Sequence, residues 1–121
     1  MTHNLAETLR LVLVTDDALI GGRDLVAICR AAERGGVTAV QLRLKHANAR
    51  ELASTARALL AALTVPVFLN DRLDVALAVG AMGVHLGPDD LSIAMARRIV
   101  PNGFLLGASV GSAAEAGQGA G

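Results

Sequence analysis

The segment VFLNDRLDVALAVGAMGVHLGPDD, residues 67–90, decides how the chain folds. It opens on a short apolar run, Val67-Phe68-Leu69, and closes on a second, Met82-Gly83-Val84-His85-Leu86. Between them Leu73 to Val79 is spaced as a short helix that stops at Gly80. Strand, helix and strand in alternation mean parallel strands joined by crossovers. In such a sheet consecutive strand ends lie side by side. Asp71 and Asp90 each fall just past one of those ends, where two carboxylates can share one divalent cation. Two strand ends away, Gln41-Leu42-Arg43-Leu44-Lys45 puts two cationic side chains at a third such position. Carboxylates with a metal beside an Arg/Lys pair predict a phosphate or pyrophosphate site.

The same rhythm extends outward. Leu11-Val12-Leu13-Val14-Thr15 is unbroken apolar sequence, as expected of a strand covered on both faces. Gly21-Gly22 breaks the chain, and from Asp24 to Arg34 the residues Leu25, Ile28, Cys29 and Ala32 repeat at helical spacing, ended by Gly35-Gly36 in a left-handed cap. Val37 to Leu42 is the second strand. Asn48 with Glu51 caps a helix whose stripe is Leu52, Ala56, Leu59, Leu60 and Leu63. Pro66 opens the third strand, where a missing amide donor is tolerated. Ser92 to Ile99 reads as a helix, and Pro101-Asn102-Gly103 turns into a fifth strand at Phe104-Leu105-Leu106. Five strands and four helices alternate, with a further helix expected to begin near Ser112.

Two architectures fit. A doubly wound sheet would carry a glycine fingerprint after its first strand, but Thr15 to Gly22 has the wrong spacing for it. Polar candidates instead follow four successive strands after the first. That favours a (β/α)8 TIM barrel, whose site is assembled from many strand ends. A complete barrel needs at least roughly 200 residues, and the chain has 121. The expectation is therefore one domain over residues 1–121, the N-terminal portion of a barrel truncated after about the fifth strand.

Composition narrows the function. A hydrophobic content of 53% excludes disorder, and a net charge of zero from 11 basic and 11 acidic residues excludes a broad nucleic-acid-binding surface. Anion binding must be local. With Phe68 and Phe104 the only aromatic residues, there is no stacking platform for single strands. Cys29 is the sole cysteine, which leaves no disulfide framework and no thiolate metal cluster; it reads as a buried structural thiol. The first residues lack a signal-peptide pattern and no apolar run reaches membrane-spanning length, so a soluble cytoplasmic protein without membrane or nucleic-acid partners is expected.

Several residues carry candidate chemistry. Asp71 and Asp90 are the metal candidates, against a bland role as helix N-caps or first-turn acids. Gln41, Arg43 and Lys45 alternate along an emerging strand and so point the same way, with Leu44 turned away to pack; a solvated basic loop with His46 is the alternative. Asn70 offers a donor and an acceptor to a heteroaromatic amine or a phosphate. His85 suits an acid, a base, a metal ligand or a satisfied core group. Ser109, after Gly107-Ala108, suits a phosphate or a helix cap. Asp74 and Asp89 are outer or surface acids. No acid and base are positioned for a serine hydrolase.

Taken together, Leu13-Val14-Thr15-Asp16, Gln41-Leu42-Arg43-Leu44-Lys45, Asn70-Asp71-Arg72 with Asp74 to Ala78, Gly83 to Leu91 and Gly107-Ala108-Ser109 resemble thiamine phosphate synthase and its TenI-like relatives. The resemblance spans nearly all of this chain and about the first half of a family member. It implies a (β/α)8 barrel and a transferase that joins an aminopyrimidine methyl diphosphate to a thiazole phosphate, releasing pyrophosphate. It implies that Gln41, Leu42, Arg43, Leu44, Lys45, Asn70 and Ser109 form the pyrimidine diphosphate site, with Mg2+ on Asp71 and Asp90. Arg43 and Lys45 would stabilise charge on the leaving group. Pyrophosphate would leave first, and the thiazole nitrogen would capture the resulting carbocation.

Three positions depart from the family pattern: Leu44 stands where Glu is usual, Pro88-Asp89 where Gln-Glu is common, and Gly111 where a histidine is typical. The alternatives are a TenI-like thiazole tautomerase and a non-catalytic phosphometabolite-binding protein. The resemblance also implies homo-oligomers, and phosphate-binding glycine loops beyond Gly121 without which this segment is expected to be inactive.

Overall fold

The computed structural model describes residues 5–15 and 24–109. A short helix α1 (Leu5–Thr8) leads into β1 (Val12–Val14). Then follow α2 (Leu25–Arg34), β2 (Ala39–Leu42), α3 (Ala49–Ala62), β3 (Val67–Asn70), α4 (Leu73–Val79), β4 (Gly83–Leu86), α5 (Ile93–Arg97) and β5 (Leu105–Ala108). All five strands are parallel and stand in sequence order, β1-β2-β3-β4-β5. The order never reverses, so the described sheet has no switch point of the kind a doubly wound fold uses.

Local chemistry sets the helix starts. The side chain of Asp24 accepts from the Ala27 amide at 3.3 Å, Asn48 from Glu51 at 2.8 Å and Ser92 from Met95 at 3.2 Å. The Asn48 side-chain amide also donates to the Glu51 carboxylate at 3.2 Å, a side-chain bond between the two residues of the cap. Gly80 ends α4 at φ 76, a left-handed conformation that glycine adopts without steric cost. Gly35-Gly36 ends α2 as expected, with Gly35 right-handed at φ −80 and Gly36 at φ 112. Helix α5 is shorter than its pattern predicts. The amides of Arg98 and Ile99 bond to carbonyls three residues back, and Pro101 disfavours a helical residue before it.

Alternation along the strands divides the sheet into two faces. Val40 and Leu42, Val67 and Leu69, and Val84 and Leu86 turn toward the helices and are almost fully buried. They meet Cys29 of α2, Leu52, Ala56 and Leu59 of α3, Val75 and Ala76 of α4, and Ile93 and Ala96 of α5. Each buried aliphatic side chain contributes about 1.5–3 kcal/mol on this count. Cys29 belongs to this layer, and burial raises its thiol pKa above the ordinary value. On the opposite face Val14, Gln41, Phe68 and His85 border a hollow of about 440 Å3. Asp16, Asp17, Gly21, Gly22, Gly111 and the helix expected near Ser112 lie outside the described residues.

Candidate active site

Polar side chains gather where the strands end. Register pairs Asn70 of β3 with His85 of β4, and His85 with Gly107 of β5. Asn70 and His85 border a cleft of about 390 Å3, together with Gln41, Arg43, Asp71, Gly87, Pro88 and Ser109. The side chain of Gln41 donates to the Asn70 carbonyl oxygen at 2.8 Å. The Asn70 side chain lies beside the Asp71 carboxylate and acts to lower its pKa. A side-chain hydrogen bond therefore ties β2 to β3 next to the acid at its end.

Asp71 is the strained residue of the site. Its amide donates to the His85 carbonyl at 2.8 Å, extending the β3–β4 ladder by one bond. The next amide, Arg72, folds straight back to the Asn70 carbonyl at 2.9 Å. Asp71 is thus the middle residue of a three-residue turn, at φ 72, and the sole non-glycine with positive φ among the described residues. Turns of this kind are rare and strained, and such strain tends to accumulate at functional positions. Here it aims the carboxylate at the end of β4.

There it meets Asp90. The Gly87 amide donates to Asp90 Oδ2 at 2.7 Å, and the Asp90 amide returns to the Gly87 carbonyl at 3.2 Å. An ideal Cβ at Gly87 would lie 3.2 Å from Asp90 Oδ2 and 3.6 Å from Asp71 Oδ1. The missing side chain leaves a small cradle between two carboxylates. Partial burial and the adjacent Asp90 raise the Asp71 pKa above the ordinary carboxylate value; the Asn70 amide and the Arg43 guanidinium oppose this and lose. Like charges held together this way are relieved by a cation. Among the described residues no group of three or more His, Cys, Asp or Glu forms a metal site. Two hard oxygen donors beside open space fit Mg2+, which commonly takes one or two carboxylates and completes its shell with water and substrate phosphate.

Arg43 is seated by a residue that sequence reasoning did not single out for this role. The Thr15 hydroxyl, almost fully buried, donates to the Arg43 carbonyl at 3.2 Å and accepts from the Arg43 amide at 2.9 Å. It stands in for the ladder partner that β1 no longer offers, since β2 ends at Leu42. A buried threonine at the end of a neighbouring strand was the available signal, readable only once β1 and β2 are known to be adjacent. The strand alternation expected through Lys45 therefore stops early. Leu42 is fully buried in the core, Leu44 packs against that core, and Lys45 is exposed on the turn beyond. Asp74 forms a surface ion pair with Arg72 at 2.8 Å, and Asp89 is exposed. Ser109 lines the cleft, and its hydroxyl lies 2.7 Å from His85 Nε2.

Fold and site together define a parallel α/β protein that gathers an acid pair, a guanidinium and amide side chains at the carboxyl edge of its sheet. A family model described as thiamine monophosphate synthase matches residues 11–120. The chain is 50% identical over 107 residues to the thiamine-phosphate synthase of Albidiferax ferrireducens, covering 86% of this chain and 49% of that protein. It is 51% identical over 110 residues to that of Azorhizobium caulinodans, covering 88% and 52%. The solved structure of a thiamine phosphate pyrophosphorylase from Pyrococcus furiosus superimposes with a TM-score of 0.83 at 41% identity, covering 93% of this chain and 55% of that one. This chain belongs to the thiamine monophosphate synthase family. It spans about half the length of the curated relatives it matches.

Proposed function

We propose that the chain supplies the magnesium and pyrimidine diphosphate side of a thiamine phosphate synthase site. The whole protein joins an aminopyrimidine methyl diphosphate to a thiazole phosphate, with pyrophosphate as the leaving group. In this reading the five strands are part of an eight-stranded barrel, closed by elements equivalent to the relatives' second half, and the protein works in the cytoplasm.

Asp71 and Asp90 hold the metal. Mg2+ held by these two carboxylates would supply positive charge to offset that of the departing pyrophosphate. Arg43 offers that group a planar fork from the cleft wall, and Lys45 a mobile point charge from the turn. Gln41 and Asn70, already bonded to each other, orient the pyrimidine ring. When the C–O bond breaks, its electrons leave with pyrophosphate and the ring system delocalises the positive charge on the methylene carbon. The thiazole nitrogen then donates its lone pair to that carbon. No protein nucleophile takes part, so catalysis consists of positioning and electrostatics. The apolar hollow beside the cleft helps to keep water from capturing the cation.

The observation that carries this reading is the meeting of Asp71 and Asp90 across Gly87, with Arg43 and the Gln41–Asn70 pair lining the same cleft. Titration calorimetry of the pyrimidine diphosphate, with and without Mg2+, tests it. Magnesium-dependent binding is expected, weakened roughly tenfold or more in Asp71→Ala and Asp90→Ala, on the order of 1.4 kcal/mol. Unchanged binding in both variants, with circular dichroism intact, would remove the assigned role. Turnover is expected once the chain is combined with the second half of a relative's barrel, and is read as pyrophosphate release in the presence of both substrates.

A further inference from the structure

Two polar side chains in the cleft, His85 and Ser109, have no task yet in that reading. His85 occupies the register layer Asn70–His85–Gly107 on the concave face of the sheet. Large and small residues alternate here between neighbouring strands. In the layer below, Gly83 on β4 pairs with Leu105 on β5, and a Cβ on Gly83 would strike the Leu105 carbonyl oxygen at 2.2 Å. In the His85 layer the order is inverted, and the glycine is on β5. An ideal Cβ on Gly107 would come within 2.9 Å of His85 Nδ1 and 3.8 Å of its Cγ and Cε1. The imidazole therefore lies across the bare backbone of Gly107, and any side chain there would displace it.

The other ring nitrogen reaches Ser109. Its Nε2 is 2.7 Å from the Ser109 hydroxyl oxygen. The Ser109 amide donates to the Leu86 carbonyl at 3.0 Å, so the backbone of Ser109 is tied to β4 while its hydroxyl can still rotate. A serine on a strand end is otherwise free to choose among three staggered rotamers. The hydrogen bond from β4 selects one.

We infer that His85 is a positioning residue: seated in the notch at Gly107, it holds the Ser109 hydroxyl so that its proton points at an anionic oxygen bound in the cleft. In the bound state the order is Nε2–H donating to the serine oxygen, and the serine O–H donating to the anion. This deepens the assignment of Ser109 to the diphosphate site and rests on it.

The probe is magnesium pyrophosphate, titrated into the chain and three variants. His85→Phe keeps a ring over Gly107 but has no donor; Ser109→Ala removes the hydroxyl. Each is expected to weaken pyrophosphate binding by roughly tenfold, and the double variant no further, because both act on one hydrogen-bond chain. His85→Gln, with an amide N–H within reach of the serine, should restore part of the loss. A nitrogen-15 spectrum of the imidazole gives an independent readout: the His85 Nε2 resonance should shift in Ser109→Ala and in Gly107→Ala. If His85→Phe binds as tightly as the original chain, if the two single losses add, or if the Nε2 resonance ignores Ser109→Ala, the inference is overturned. Pyrophosphate bound with these dependences, but with no preference for the pyrimidine diphosphate, would refute the proposed reaction and leave the role of His85 standing.

Discussion

Asp71 accepts two penalties, a positive φ and a carboxylate neighbour, and they can be separated experimentally. Asparagine tolerates left-handed backbone better than most residues and carries no charge. Asp71→Asn should therefore unfold in urea at the same or a slightly higher midpoint, while losing Mg2+-dependent stabilisation. Asp71→Val places a β-branched side chain at φ 72 and should cost on the order of 1–3 kcal/mol. The pH dependence has a definite sign. Because the folded-state pKa of Asp71 is raised, the folded chain holds that proton more tightly than the unfolded one. Its contribution to stability is present below the ordinary carboxylate value and is lost as pH rises through the folded value. A magnesium ion on Asp71, as proposed, would work in the opposite sense, since it requires the ionised form. The gain in melting temperature from added Mg2+ should shrink as pH falls toward about 4.

At the level of elements, a clasp before β3 and a close approach between β4 and β5 hold the sheet that carries the site. Glu33, near the end of α2, accepts from the hydroxyl and amide of Thr64 and from the Val65 amide, clasping the turn before β3. Those bonds, the Thr64 hydroxyl foremost, lower the Glu33 pKa below its ordinary value of 4.5. The stabilisation is present above that value and is lost as pH falls through the lowered one. Glu33→Gln should cost about 0.5–1.5 kcal/mol near neutrality, at the low end because the group is partly solvated, and nearly nothing in strong acid. Urea melts at two pH values measure it. Gly83→Ala should be far more harmful. Its Cβ would meet backbone rather than a movable side chain, and a loss of about 3 kcal/mol or more, with broadened β4 and β5 amide signals, is expected.

At the scale of the whole molecule, the sheet packs α2 to α5 against one face and borders a hollow of about 440 Å3 on the other. Leu5, Leu9 and Val14 border that hollow and are each about half exposed. No helix among the described residues is long and apolar enough to cross a membrane. Ligand at 100 times its dissociation constant adds roughly 2.7 kcal/mol to folding. Magnesium with pyrophosphate should therefore raise the melting temperature by several degrees, and Asp90→Ala should abolish the rise.

Much of this was legible in the chain. The strand and helix order, the cap at Asn48, and the position of Asp71 and Asp90 just past two strands follow from signals within a few residues of one another. Periodicity and capping are local physics, and local physics is written in local sequence. The turn that aims Asp71, the clasp of Thr15 on Arg43 and the seat of His85 over Gly107 join residues on different strands. They depend on which strand lies beside which and in what register, and only the packed sheet sets that. The same reason explains Lys45: alternation predicted its direction, but β2 ends at Leu42, and the chain beyond follows Thr15 and the core contact of Leu44 instead.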